Sequence, residues 1–224
     1  MYQTVYTIQG IVNMREDGKM KDKPKMLVIY GCGGHGHNIA DVILANDPAS
    51  CILFVDDNAR EGESKLGFSI VKQIPKEVEQ YSCIVASGNN LNRKRKFAEI
   101  EQEKIISVIS PRAFIGYRSI IGKGSYIGHF AMVGAEAIIG ENVSISYASV
   151  VGHETQIGSH SFVGPNATIM GKVNIDELVF VGGGATIIGG VKICSKTIIG
   201  AGATVVRDIL EQGTYVGTPA RRIK

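Results

Sequence analysis

Residues 127–169 read IGHFAMVGAEAIIGENVSISYASVVGHETQIGSHSFVGPNATI, and every sixth residue of this stretch is isoleucine or valine. The pattern continues without a break in both directions, from Ile109 to Val205, through seventeen anchor positions. The residue four places after each anchor is small or β-branched, and glycine often follows the anchor directly. Neither the 3.6-residue period of an α-helix nor the two-residue period of a strand accounts for a repeat of six.

This period predicts a left-handed parallel β-helix built from hexapeptide repeats. Each hexad forms one short strand and one corner, and three hexads close a coil, so that residue n stacks on residue n + 18. The anchor points into the narrow interior and the small residue packs beside it, while glycine serves the corner where the backbone turns. With coils about 4.8 Å apart, the repeats give about five coils.

The chain before the repeats is organised differently. Between residues 26 and 104, short apolar runs alternate with helical stretches, which predicts a small Rossmann-like α/β half-domain with a parallel sheet. Its expected strands are Met26–Tyr30, Cys51–Val55 and Ser82–Ala86. Residues 1–25 are charged and aperiodic and are interpreted as an N-terminal extension, and residues 105–224 form the β-helix domain.

Composition excludes several classes of protein. A net charge of +3 is too small to favour nucleic acid binding, and the run at 92–96, NRKRK, is interpreted as the solvated face of a helix. No apolar run approaches the roughly 18 residues that a membrane span needs. The four cysteines are scattered without metal-type spacing. We therefore expect a cytoplasmic protein with reduced thiols and no metal site.

Stacking by 18 residues identifies a candidate catalytic corner. His153 lies at a corner, with Gly171 one coil above it and Gly189 two coils above it. A histidine beneath a column of glycines describes a groove for a slender ligand, lined by backbone N–H groups. Such a groove suits acyl transfer, because imidazole can take a proton from an amine and a backbone N–H can stabilise an oxyanion. Glu154 would orient the imidazole. The alternatives are a surface corner without chemistry and, on other hexad proteins, a metal site between subunits.

A second candidate site precedes the repeats. Residues 31–36 read GCGGHG after an expected strand and before an expected helix, and Asp56 and Asp57 end the next strand. The glycines allow a diphosphate to approach the helix N-terminus, and the carboxylates can bind ribose or base. Only half of a dinucleotide fold fits into this segment, so the turn suits a nucleotide diphosphate and not NAD. A tight turn without a ligand is the alternative.

Together these motifs resemble the bacterial sugar acetyltransferases. The resemblance rests on the GCGGHG turn, the Asp56-Asp57 strand end, the loop GNNLNR at 88–93, the His153-Glu154 corner and the ending GTPA at 217–220. It covers about residues 26–224 and includes the UDP-4-amino-sugar N-acetyltransferases of bacillosamine biosynthesis and the sialic acid O-acetyltransferases. It implies a homotrimer that binds acetyl-CoA between neighbouring coils and a nucleotide sugar on the N-terminal domain.

The resemblance also implies roles for particular residues. His153 matches the general base and Glu154 its partner. The implied acetyl-CoA contacts are Gly171, Gly183, Gly189, Ala201 and Pro219, and the implied nucleotide-sugar contacts are Gly33, Gly34, His35, Asp56, Asp57, Gly88 and Asn89. Departures occur at Ser146, Gly152 and Phe162, where relatives often carry asparagine, an acidic residue and histidine.

Three functions follow from these observations. The first is N-acetylation of a nucleotide-linked amino sugar from acetyl-CoA, by direct transfer. The second is O-acetylation of sialic acid or another free sugar acid, which needs no nucleotide site. The third is a trimeric β-helix scaffold without catalysis, against which the stack of His153, Gly171 and Gly189 argues.

Overall fold

The computed structural model describes residues 26–223, so the expected extension at 1–25 lies outside the described residues. The N-terminal domain is a five-stranded sheet with strand order β3-β4-β2-β1-β5 and two helices. Its elements are β1 (Met26–Tyr30), α1 (Gly34–Asn46), β2 (Ile52–Val55), β3 (Ser64–Lys65), β4 (Phe68–Val71), β5 (Tyr81–Val85), α2 (Asn90–Glu99) and a 3-10 turn at Gln102–Lys104.

This sheet has two more strands than the sequence predicted. The segment between β2 and β5 contains no helix and instead folds back as the antiparallel pair β3 and β4, with β4 extending the sheet beside β2. The pair was missed because β3 is two residues long and polar, so it lacks an apolar run. The expected α/β character is confirmed, since β1 pairs in parallel with both β2 and β5.

The rest of the chain is a three-sided parallel β-helix, which confirms the fold class expected from the hexads. We call its sides faces A, B and C. Face A contains β6 (Val108–Ile109), β9 (Tyr126–Ile127), β12 (Ser144–Ile145), β15 (Phe162–Val163), β18 (Phe180–Val181), β21 (Ile198–Ile199), β23 (Thr214–Val216) and β24 (Arg221–Arg222). Face B contains β7 (Phe114–Ile115), β10 (Met132–Val133), β13 (Val150–Val151), β16 (Thr168–Ile169), β19 (Thr186–Ile187) and β22 (Thr204–Val205). Face C contains β8 (Ile120–Ile121), β11 (Ile138–Ile139), β14 (Gln156–Ile157), β17 (Asn174–Ile175) and β20 (Lys192–Ile193).

The register of the coils follows the sequence repeat. Val133 pairs with Val151 and Val151 pairs with Ile169, so each strand lies on the strand 18 residues later. From Ile127 to Val205 the anchors are nearly inaccessible to solvent, as are the small residues such as Ala131 and Ala167. Burial of this continuous apolar column stabilises the stack, because each coil covers the hydrophobic surface of the next.

The glycines after the anchors have a different purpose from the one expected. Positive φ angles occur two places later, mostly at non-glycine residues such as Glu154 (φ 55°) and His160 (φ 62°). A Cβ atom on Gly134 would lie 2.6 Å from the amide nitrogen of His153 in the coil above. These glycines are therefore needed for the close approach of stacked coils, and the backbone turns at their neighbours.

The N-terminal domain packs on face A through a buried arginine. The guanidinium of Arg93, on α2, donates to the carbonyl oxygens of Ser87, Asn142, His160 and Ser161 at 2.6 to 3.2 Å, and only 1% of the residue is exposed. The interpretation of residues 92–96 as a solvated face is thus wrong for Arg93. Hydrogen bonds to these carbonyl oxygens offset the cost of removing the guanidinium from water, and they fix the orientation of the domain on the coil.

Removing this arginine should destabilise the protein strongly. Arg93→Ala leaves four carbonyl oxygens without their charged donor, and we expect a loss of about 3 kcal/mol in the free energy of unfolding. Arg95→Ala, in the same helix but exposed, should change it by less than about 0.5 kcal/mol. Chemical denaturation of the two variants checks this, and equal stabilities would contradict the role of Arg93.

Within residues 26–223, none of the helices is long and apolar enough to cross a membrane.

Candidate active site

The imidazole of His153 lies at the corner between faces B and C. Its Nδ1 lies 2.9 Å from Oε2 of Glu154, which has a positive φ of 55° and also lies 3.8 Å from Nζ of Lys172. A carboxylate can only accept, so Nδ1 carries the hydrogen and Nε2 keeps a free lone pair. The side chain of His153 is 61% exposed, which makes that lone pair accessible to a ligand.

Nε2 of His153 faces Gly171, as the 18-residue stacking of the coils predicted. A Cβ atom on Gly171 would lie 2.5 Å from Nε2 of His153, so only glycine leaves the imidazole in this position. The amide N–H of Gly171 donates no hydrogen bond to any residue in the described range 26–223. A lone pair and a free backbone donor therefore lie side by side at this corner, which is the pairing that acyl transfer needs.

The groove continues upward from Gly171. Gly189 lies one coil higher, where its Cβ would be 3.1 Å from the carbonyl oxygen of Gly171, and its N–H also has no acceptor among residues 26–223. Gly190 donates to that carbonyl oxygen at 3.0 Å. The predicted column of exposed N–H groups above His153 is thus present.

The other implied cofactor contacts lie at a different corner. Gly183 and Ala201 stack on Pro165 between faces A and B, and the amide N–H groups of Gly183 and Ala201 have no acceptor in the described part of the chain. Pro219 follows a cis peptide bond beside this corner, where Thr218 contacts Thr204 at 3.1 Å. One chain therefore does not bring these residues together with Gly171 and Gly189.

Asp56 fixes the conformation of the glycine turn, residues 31–36. Its Oδ2 accepts from the backbone N–H of Cys32 at 3.1 Å and from the Cys32 thiol at 3.3 Å, and Oδ1 accepts from the N–H of Asn58 at 3.0 Å. Burial raises the pKa of Asp56, but these hydrogen bonds outweigh it and hold the pKa below its usual value. Asp56 positions the turn, and the exposed Asp57 is left to contact a ligand.

Around this turn the surface is open. A Cβ atom on Gly33, Gly34 or Gly88 would contact nothing within 4 Å. Gly34 begins α1, whose first N–H groups point outward and favour an anion. Asn89 caps α2 by accepting from the N–H of Asn92 at 3.0 Å, so its side chain serves the loop that faces the glycine turn.

His35 faces the β-helix. Its Nε2 lies 2.9 Å from Oγ of Ser144, and its ring meets those of Tyr126 and Phe162 edge to face. Burial, with a smaller effect of Arg93, lowers the pKa of His35 to about 3. The imidazole is therefore neutral at physiological pH and supports the domain interface.

This neutral histidine predicts acid sensitivity. The unfolded chain, with a histidine pKa of about 6.5, binds one more proton than the folded chain between that pH and about 3. Through His35 the free energy of unfolding should fall by about 1.4 kcal/mol per pH unit below pH 6.5. His160, whose pKa is lowered to about 4 mainly by burial, adds to this slope. His35→Gln should therefore reduce the slope in urea unfolding at pH 7, 6 and 5, whereas His37→Gln should keep it. Equal slopes in the two variants would contradict the assignment.

The departures from the family pattern are explained in part by packing. A side chain at Gly152 would collide with the backbone of Gly171 above it, so the acidic residue of relatives cannot fit into this coil. Phe162 stacks on Phe180 with ring centroids 5.3 Å apart, and Ser146 is buried. Sequence reasoning missed Phe180, which stacks on Phe162 from the next coil. It also missed Asn90, which joins the two domains by donating to the carbonyl oxygens of Leu178 and Val179.

Between residues 26 and 223, no group of three or more histidine, cysteine, aspartate or glutamate side chains is placed to hold a metal ion.

Comparisons with known proteins agree with this architecture. Residues 26–100 match the family of PglD N-terminal domains, and residues 118–153 and 136–171 match the bacterial transferase hexapeptide repeat. The fold and these repeats define the chain as a bacterial hexapeptide-repeat transferase. Its N-terminal domain belongs to the PglD N-terminal domain family, and the whole chain resembles the PglD-like sugar N-acetyltransferases.

Solved structures include similar chains. The acetyltransferase domain of PglB from Neisseria gonorrhoeae, also solved with acetyl coenzyme A, is 27% identical with a TM-score of 0.81, and the alignment covers 89% of this chain and 100% of that one. A variant of perosamine N-acetyltransferase from Caulobacter crescentus, solved with CoA and GDP-perosamine, is 27% identical with a TM-score of 0.81 and coverages of 88% and 96%. WeeI from Acinetobacter baumannii shares the fold at 23% identity. A comparison with curated protein sequences gave no match.

Proposed function

We propose that the protein transfers an acetyl group from acetyl-CoA to the amino group of a nucleotide-linked amino sugar. The observation that carries the proposal is the pairing of His153 with the glycine column above it. The Nε2 lone pair of His153 faces Gly171, and the N–H groups of Gly171 and Gly189 above it have no acceptor among residues 26–223. The similar proteins solved with acetyl coenzyme A and with CoA and GDP-perosamine support this assignment.

The transfer is direct. The acceptor amine attacks the thioester carbonyl carbon while Nε2 of His153 takes a proton from the amine nitrogen. The carbonyl oxygen gains the negative charge, and the N–H of Gly171 donates to it. The C–S bond then breaks, the imidazolium returns its proton to the thiolate, and an amide and CoA thiol are formed. Glu154 orients the ring and stabilises the imidazolium.

A complete site requires a second subunit. The N-terminal domain covers face A, whereas His153 lies at the corner between faces B and C, across the coil from that face. His153 therefore serves the nucleotide-sugar domain of a neighbouring subunit. Likewise, Gly171 and Gly189 of one chain face Gly183 and Ala201 of the next across the acetyl-CoA groove. We propose a cyclic homotrimer with three shared sites.

Exposed apolar residues fit this assembly. Phe114 and Met132 on face B, and Ile120 and Ile138 on face C, project outward from the first coils with 42 to 59% of each residue exposed. A patch of this kind on a soluble protein marks a surface that another chain covers. Within the trimer, these faces would pack against neighbouring coils.

The test is release of CoA thiol from acetyl-CoA across a panel of UDP-, dTDP- and GDP-linked 4-amino sugars, with free sialic acid alongside. We expect release with one nucleotide amino sugar and none with sialic acid. Release with the free sugar acid alone would replace this function by O-acetylation. No release with any acceptor, from a protein that binds acetyl-CoA, would overturn the acceptor class.

A further inference from the structure

The groove above His153 ends at an arginine. The last corner between faces B and C consists of residues 206–208, which follow Val205 on the coil above Gly189. This corner is two residues shorter than the others, since Ile209 pairs with Ile193 sixteen residues earlier and not eighteen. Asp208 closes it by accepting from the backbone N–H of Lys192 at 2.8 Å. Arg207 thus lies over the top of the glycine column.

Arg207 forms no ion pair with the acidic residues near it. The residue is exposed and has no hydrogen-bond or ion-pair partner within residues 26–223. The two nearby acidic residues are occupied, Asp208 by the Lys192 backbone and Glu211 by Arg222 at 2.8 Å. Arg221 lines the same cleft of about 370 Å³. The cleft therefore presents guanidinium groups to a ligand, which favours an anion.

The distance from His153 restricts which anion can bind. Three coil spacings of about 4.8 Å separate the level of His153 from that of Arg207, or roughly 14 Å. The pantetheine arm of CoA, extended from its sulfur to the first phosphorus, spans about 15 Å at the reach of an extended bonded chain. A thioester held at His153 with its arm along Gly171 and Gly189 would bring the phosphates of CoA to Arg207.

We propose that Arg207 binds a phosphate group of acetyl-CoA and so sets the affinity for the co-substrate. The guanidinium matches the geometry of phosphate oxygens, and its planar fork can donate two parallel hydrogen bonds. This assignment rests on the proposed function, because it requires acetyl-CoA in the groove. It gives the groove two ends, with acyl chemistry at His153 and anion recognition at Arg207.

Calorimetric titration with CoA, dephospho-CoA and pantetheine tests the assignment. Arg207→Gln should raise the Kd for CoA about tenfold and leave the Kd for pantetheine unchanged. Arg118→Gln, an exposed arginine at the same corner in the first coil, should bind CoA like the wild type. If the effect of Arg207→Gln persists with dephospho-CoA, the bound group is the diphosphate. If the effect disappears, the bound group is the 3′-phosphate, which would contradict an arm that runs from His153 along the glycine column with its diphosphate at Arg207.

Two outcomes would overturn the assignment, and they are distinguishable. If the wild type binds CoA and Arg207→Gln binds it with the same Kd, Arg207 does not bind a phosphate, and the proposed function is unaffected. The same conclusion follows if Arg207→Gln raises the Kd for CoA and for pantetheine equally. A folded wild-type protein that binds no CoA would overturn the proposed function and the role of Arg207 with it.

Discussion

Replacing His153 with alanine is expected to lower kcat by about 10²- to 10⁴-fold, the range that general bases contribute. The imidazole is the group whose lone pair faces the free N–H of Gly171, and its removal leaves the acceptor amine without a proton acceptor. The KM for acetyl-CoA should change little, because the glycine column remains. Steady-state kinetics with the nucleotide amino sugar that the panel identifies checks this expectation.

Controls separate catalysis from folding. Gln156→Ala, which changes an exposed residue on the next strand, should retain wild-type activity. Glu154→Gln should lower kcat less than His153→Ala does, whereas Glu136→Gln, at the same corner one coil below, should have no effect. A folded His153→Ala protein with wild-type kcat would exclude the proposed mechanism.

Gly171→Ala should be nearly as damaging, although it adds one methyl group. That methyl would lie 2.5 Å from Nε2 of His153, so the imidazole must swing away from the groove. The ring is exposed and can move without disturbing the core, so the protein should stay folded. Displacement of a catalytic group by about 1 Å can cost about 100-fold in rate, and we expect a loss of that order in kcat.

The matched control is Ala135→Ser, one coil below His153 at the same corner, which adds an atom away from Nε2 and should be neutral. Thermal unfolding of Gly171→Ala should show a stability close to that of the wild type. If Gly171→Ala keeps wild-type activity, the imidazole of His153 does not act as the base from its position beneath Gly171.

Much of the site could be predicted from the repeat. The six-residue period sets the register, and the register alone places Gly171 over His153, as the paired strands Val133, Val151 and Ile169 confirm. This succeeds because each coil repeats the same backbone path, so that separation along the chain translates directly into position in space.

Other features depend on contacts between distant segments and could not be predicted. The burial of Arg93 is decided by carbonyl groups on coils 49 to 68 residues away. The orientation of His35 is decided by Ser144, on the other domain. The glycines that follow many of the anchors were correctly located but wrongly explained, since the close approach of the coil above requires them. A local sequence pattern does not reveal such contacts between distant segments.

In the proposed trimer, His153 of one subunit serves the nucleotide-sugar domain of its neighbour. Mixed trimers of two inactive variants test it most directly. His153→Ala removes the base, and Gly34→Asp places a carboxylate at the start of α1, where it suits the helix dipole but repels a diphosphate. Each variant alone should be inactive and folded.

Co-expressed with different tags and purified as mixed trimers, the pair should regain about a third of wild-type activity, because a cyclic trimer that contains both chains, in either 2:1 ratio, has both halves intact at one of its three sites. Activity that remains at the level of the single variants, in trimers shown to contain both chains, would contradict the shared site.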